Sequence, residues 1–141
     1  MLYVSTRGGA PPREFADILL EGLAPDGGLY VPKEIPRLPP LPDDYASAVA
    51  ALVRPFVEPD PLAGELEEMV ADVYGRFRHP DVAPLTQVDN DLYVLELFWG
   101  PTLSFKDYAL QLVGPLFQRV LEREGRRLLV LGATSGDTGS A

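Results

Sequence analysis

A lysine set among aromatic and apolar side chains is the first candidate for chemistry. In FWGPTLSFKDYALQ, residues 98–111, Lys106 stands between Phe105 and Asp107 where a loop gives way to a helix. Two readings apply. Most lysines at a helix start are exposed and chemically inert, whereas one with a buried stem has its charged form disfavoured, and a neutral amine can attack a carbonyl as a Schiff-base nucleophile. An unperturbed lysine, with a pKa of about 10.4, is neutral in only roughly one molecule in a few thousand at pH 7, so the second reading requires that burial. The other candidate is the small-residue run ATSGDTGSA, 133–141. Its backbone N–H groups could hold a carboxylate or phosphate at a helix start, or it could be an ordinary strand-to-helix turn capped by Ser135 or Asp137. It lacks the Gly-Lys-Ser/Thr ending of a nucleotide phosphate loop.

Both candidates need a scaffold. The run LYVLELF reads as a strand, WGPTLS as a loop, and the residues from Lys106 onward as a helix with the apolar pairs Tyr108/Ala109, Leu112/Val113, Leu116/Phe117 and Val120/Leu121. Gly114 and Pro115 interrupt it, and an interior proline costs roughly 3 kcal/mol, which predicts a kink or a break. Gly125 suits the helix C-cap, and LLVLGA, 128–133, reads as a fully buried parallel strand. A right-handed strand, helix, strand crossover puts both following loops at the carboxyl edge of the sheet, so Lys106 and the Ser135 to Gly139 loop should face one cleft.

Upstream, LYVST is extended and RGG a turn. Phe15, Ile18, Leu19 and Leu23 mark a short amphipathic helix with Gly22 near its end, and APDGGLYVP a turn feeding a strand. Pro32 to Pro42 must be an extended connector. Asp43 or Asp44 caps an Ala-rich helix that Pro55 should stop; the next helix places Leu62, Leu66, Met69, Val70 and Val73 on one face. Glu65, Glu67 and Glu68 read as a solvated face rather than a metal site. His79 is read as a plain surface loop residue in HPDVAP, a boundary near residue 80.

The 141 residues, 46% hydrophobic, suit one ordinary domain or two small ones. No run reaches the ~20 apolar residues of a membrane span, and the N-terminus lacks the apolar core of a signal peptide. Zero cysteines exclude disulfides and thiolate chemistry and fit a cytoplasmic location, and a single histidine excludes a histidine-rich metal site. The net charge of −9 with scattered Lys and Arg argues against nucleic acid. An anionic small molecule would have to be held by local donors.

LELFWGPTLSFKD followed by ATSGDTGSA resembles the threonine synthase family, pyridoxal-phosphate enzymes of fold type II, and YVSTRGG and EGLAPDGGLYVP resemble that family's N-terminal domain. The resemblance implies an α/β fold: a small α+β N-terminal domain over 1–80, then the first βαβ unit of an incomplete fold-type-II catalytic domain over 81–141. It implies that Lys106 carries pyridoxal phosphate as a Schiff base, that Phe105 packs against the pyridine ring, and that Asp137 lies near the cofactor's 3' oxygen. Ser135, Gly136, Asp137, Thr138 and Gly139 would receive the substrate carboxylate. The implied reaction converts O-phospho-L-homoserine and water to L-threonine and phosphate. Trp99 departs from the histidine usual before Gly-Pro-Thr, which bears on substrate affinity or specificity if that histidine binds and changes nothing if it only packs. The family's chains are several hundred residues long, so the expectation here is an inactive N-terminal fragment that can self-associate through an open sheet edge. The alternatives are a non-catalytic folding or oligomerisation module, or another fold-type-II enzyme such as a threonine dehydratase relative.

Overall fold

The computed structural model describes residues 1–141. Strand β1 (Tyr3–Ser5) pairs antiparallel with β2 (Tyr30–Pro32), Val4 opposite Val31. Between them lies α1 (Phe15–Glu21), ended by Gly22 at φ +71°, which glycine adopts without a Cβ clash. Leu23, expected on the buried stripe, lies past this stop and is exposed. The Asp26 carboxylate accepts from Ser5 Oγ at 2.7 Å, Gly9 N–H at 2.8 Å and Gly28 N–H at 2.9 Å, fastening the two N-terminal turns together. A Cβ on Gly28 would collide with the Ser5 hydroxyl.

The proline-rich segment after β2 has no regular structure, as its missing donors require. Helix α2 (Tyr45–Val57) starts where Asp44 accepts from Ser47 N–H at 2.9 Å. Pro55 does not stop it. The proline sits in the last turn, where it removes only one late hydrogen bond, and the helix continues to Val57, which is buried. A short 3-10 helix (Pro61–Glu65) then leads into α3 (Leu66–Tyr74). Leu62, Leu66, Met69, Val70 and Val73 are all buried on one face, while Glu67 and Glu68 are exposed.

Strands β3 (Leu85–Asp89) and β4 (Leu92–Leu95) form an antiparallel hairpin with a register shift between Gln87 and Asp89. The first of these was not anticipated from sequence. Helix α4 (Asp107–Glu124) runs through Gly114 and Pro115 without a break. Leu112, Leu116 and Val120 are buried on both sides of the proline; at about 1.5–3 kcal/mol each, their packing outweighs the roughly 3 kcal/mol cost of one interior proline. Gly125 closes the helix at φ +63°.

Past Gly125 the expected parallel strand does not form. Leu129 and Leu131 are 86% and 91% exposed, and no strand lies beside residues 128–133 to pair with them. A continuous apolar strand is stable only when paired and covered on both faces. The α/β character therefore rests on helices with two antiparallel pairs. The chain ends in α5 (Asp137–Ser140).

One core joins the elements across residue 80. Leu112, Leu116 and Val120 of α4 pack with Leu62, Leu66 and Val70, and Val82 of the connecting loop is buried with them. Beside it, the rings of Tyr45, Tyr74, Phe77 and Tyr108 make tilted and edge contacts, with centroids 5.0 Å (Tyr45 to Tyr74) and 4.9 Å (Phe77 to Tyr108) apart. The Tyr74 hydroxyl donates to the Tyr108 carbonyl at 2.6 Å, and burial pushes its pKa up to about 12.

Asp60 locks the 3-10 helix to α4. Its carboxylate accepts from Leu62 N–H at 3.0 Å and from both Arg123 amines at 2.8 and 3.1 Å. Burial pushes the Asp60 carboxyl up, but the Arg123 and Leu62 hydrogen bonds outweigh it and hold the carboxyl below its ordinary range. A depressed folded pKa contributes stability above the unfolded value of about 3.9 and loses it as pH falls through the folded value. The stability gap between the wild type and Asp60→Asn in urea denaturation is therefore expected to narrow as pH drops from about 4 downward. A gap independent of pH contradicts this assignment.

Candidate active site

The turn that presents Lys106 is folded around a buried acidic side chain. Asp107 is 0% exposed. Its carboxylate accepts from Thr102 N–H and Thr102 Oγ1, each at 2.8 Å, and from Gln111 Nε2 at 3.5 Å. A buried carboxylate is tolerated only when so supplied with donors. The carboxylate leaves no room for a side chain at position 100: a Cβ on Gly100 would collide with it. Leu103 adopts φ +65°, a left-handed conformation costly for a branched residue. The turn then closes with Asp107 N–H donating to Ser104 O at 3.0 Å and Lys106 N–H donating to Ser104 Oγ at 3.2 Å.

Trp99 anchors the entry to this turn. Its indole N–H donates to Glu96 Oε2 at 2.7 Å, while Glu96 Oε1 accepts from the Thr86 hydroxyl at 2.7 Å. These two bonds, Thr86's foremost, hold the Glu96 carboxyl below its ordinary range. His79 is not the plain surface residue expected. Its ring lies 5.1 Å from that of Trp99 and its side chain is only 29% exposed, because Arg78 N–H donates to Trp99 O at 2.8 Å and draws the two segments together.

The Lys106 side chain is largely covered, its Nζ 3.7 Å from Asp137 Oδ2 and 5.5 Å from the centroid of the Phe105 ring. It lines a cavity of about 600 Å³ with Tyr45, Leu97, Phe105, Tyr108 and Thr138 among its walls. Lys106 and the loop expected to face it thus do meet, without the parallel strand that was expected to bring them there. Fastening comes from Gln111, whose amide reaches Asp107 on one side and donates to Ala141 O at 3.0 Å on the other. Thr134 Oγ1 folds the loop by accepting from Gly136 N–H at 3.2 Å and Gly139 N–H at 3.1 Å.

Of the residues singled out from sequence, Lys106, Phe105 and Thr138 line the cavity and Asp137 pairs with the lysine; Ser135, Gly136 and Gly139 belong to the loop but do not line the wall. Asp107 as buried organiser, Gln111 as bridge and Tyr45 as wall were not anticipated. For Asp107 a signal existed, a carboxylate in the first turn of a helix just after a threonine-bearing loop. A larger trough of about 710 Å³ lies between α4 and residues 125–130, away from Lys106. No group of three His, Asp or Glu side chains could hold a metal ion, and no helix is long and apolar enough to cross a membrane.

Comparison with known proteins agrees along the whole chain. The family profile described as "Threonine synthase N terminus" matches residues 2–74. A threonine synthase of Pseudomonas aeruginosa is 48% identical over all of this chain and 31% of its own length, and one of Schizosaccharomyces pombe is 46% identical over 99% of this chain and 30% of its own. The crystal structure of PLP-bound threonine synthase from Brucella melitensis superposes with a TM-score of 0.92 at 48% identity, covering 99% of this chain and 31% of that one. The chain spans about a third of the length of the curated relatives it matches.

Proposed function

This chain belongs to the threonine synthase N-terminus family, and from that membership we propose that it supplies the reactive lysine and the facing loop of a pyridoxal-phosphate-dependent threonine synthase. The reaction converts O-phospho-L-homoserine and water to L-threonine and phosphate, in the cytoplasm. The observation that carries this reading is the Lys106 amine, largely covered, in the wall of an apolar cavity and 3.7 Å from Asp137. An aromatic aldehyde fits this donor set: the amine for its carbonyl carbon, and the apolar walls for its ring. Lys106 would hold the cofactor covalently, Phe105 would pack on the ring, and Asp137 would lie near the 3' oxygen.

When bound, pyridoxal phosphate supplies an electron sink for the substrate's carbon skeleton. Lys106 would take protons from the substrate's α and β carbons and return protons to its γ and α carbons, while phosphate departs from the γ carbon and water adds at the β carbon. The loop from Ser135 to Gly139 would receive the substrate carboxylate, through N–H groups other than those of Gly136 and Gly139, which donate to Thr134 Oγ1. Local donors are needed because the chain's net charge of −9 repels an anion. In the full-length protein supplied with the cofactor, phosphate release from O-phosphohomoserine matched by threonine is expected; release of phosphate without threonine, or none, contradicts the reading.

A specific observation supports self-association of the chain by itself, the exposure of the apolar run around Leu129 and Leu131. Sedimentation velocity should show a coefficient that rises with concentration and falls back in Leu129→Ser/Leu131→Ser. A coefficient independent of concentration contradicts it.

A further inference from the structure

Tyr45 stands far upstream of Lys106, on the first turn of α2, yet it lines the same cavity. Its ring is held on two sides, 5.0 Å from Tyr74 and 6.4 Å from Tyr108 by centroid. The other tyrosines packed into the fold spend their hydroxyls internally: Tyr3 on Phe56 O at 2.7 Å, Tyr74 on Tyr108 O at 2.6 Å, and Tyr108 on Val82 O at 2.7 Å. Tyr45, half-buried in the same cluster, makes no such bond. A half-buried phenol with a fixed ring and an unspent hydroxyl is a pre-placed neutral donor. Burial, then the neighbouring Tyr108, pushes its pKa up, so it stays protonated as a donor through neutral pH.

The cavity around it is walled mainly by carbon, and the Lys106 amine lies 3.7 Å from Asp137 and is taken up by the cofactor in the reading above. An oxyanion entering that space needs further donors, and only neutral ones avoid the cost of burying another charge. We propose that Tyr45 is a specificity-determining residue of the Lys106 cleft, its hydroxyl donating a hydrogen bond to an oxyanion of the substrate, so that α2 contributes directly to recognition. This rests on the functional reading above.

The test compares wild type, Lys106→Ala and Tyr45→Phe in the full-length protein with its cofactor. Wild-type turnover lost in Lys106→Ala tests the functional reading separately. Given that turnover, Tyr45→Phe should raise KM for O-phosphohomoserine about tenfold, the scale of one hydrogen bond to a charged group, with kcat within about twofold. Its thermal midpoint should not move, because phenylalanine keeps the ring packing against Tyr74 and Tyr108. Inhibition by inorganic phosphate and by L-homoserine, which keeps the carboxylate and lacks the phosphate, distinguishes the two oxyanions: whichever inhibitor weakens identifies the group held. An unchanged KM with both inhibitors unaffected overturns the proposal, as does a KM change accompanied by a loss of stability.

Discussion

Lys106→Ala in the full-length protein is expected to lower threonine formation by at least about 1,000-fold. Proton transfer by a positioned side chain alone contributes roughly 100- to 10,000-fold, and covalent attachment of the cofactor would be lost with it. Arginine should not rescue, because a guanidinium stays protonated and cannot act as base or nucleophile at neutral pH. The fold should be untouched. The lysine's one ion pair is with Asp137, whose side chain is 66% exposed, and such pairs contribute about 0–1 kcal/mol. Phosphate release assayed beside a thermal melt checks both halves: lost activity with an unchanged melt is the expected result, and retained activity contradicts the role.

Asp107→Ala should damage both fold and site. Removing the buried carboxylate leaves Thr102 N–H and Oγ1 without their acceptor, and a buried donor left unsatisfied costs about 1–3 kcal/mol. A loss of about 2–4 kcal/mol in urea denaturation is expected. The turn that Asp107 organises also sets where Lys106 stands, so reductive labelling of Lys106 by pyridoxal phosphate should fall by more than about tenfold relative to that of Lys33, which is exposed. Asp107→Asn keeps one acceptor oxygen and the side chain's shape, so it should recover most of the labelling. If Asp107→Ala labels Lys106 like the wild type, the carboxylate is not a positioning residue.

Much of this arrangement was legible locally. The stripe from Leu62 to Val73, a cap at Asp43 or Asp44, the Gly22 and Gly125 stops and the proline-rich connector all follow from residue type and spacing; the choice of Asp44 is the structure's. The meeting of Lys106 with Asp137 was also anticipated, though for a different reason from the one the structure shows. The parallel strand at 128–133 depended on partners that sequence pattern cannot supply, and none lies beside it. Helix α4 passing through Pro115 was missed because the cost of a proline is local, whereas the packing of Leu112, Leu116 and Val120 that offsets it is tertiary. Tyr45 is a similar case, since it meets Tyr74 and Tyr108, which are distant in the chain, whereas the partners of Asp107, Thr102 and Gln111, are local and were legible in principle.

The central claim, that Lys106 is the residue that takes the cofactor, can be tested on this chain directly. Lys33 and Lys106 are its only lysines, and Lys33 is an internal control for surface reactivity. Treatment with pyridoxal phosphate and borohydride, followed by intact-mass spectrometry and peptide mapping, is predicted to give one dominant adduct, on Lys106, well above that on Lys33 and on the N-terminal amine. Equal labelling of both lysines, or labelling of Lys33 alone, would contradict the account.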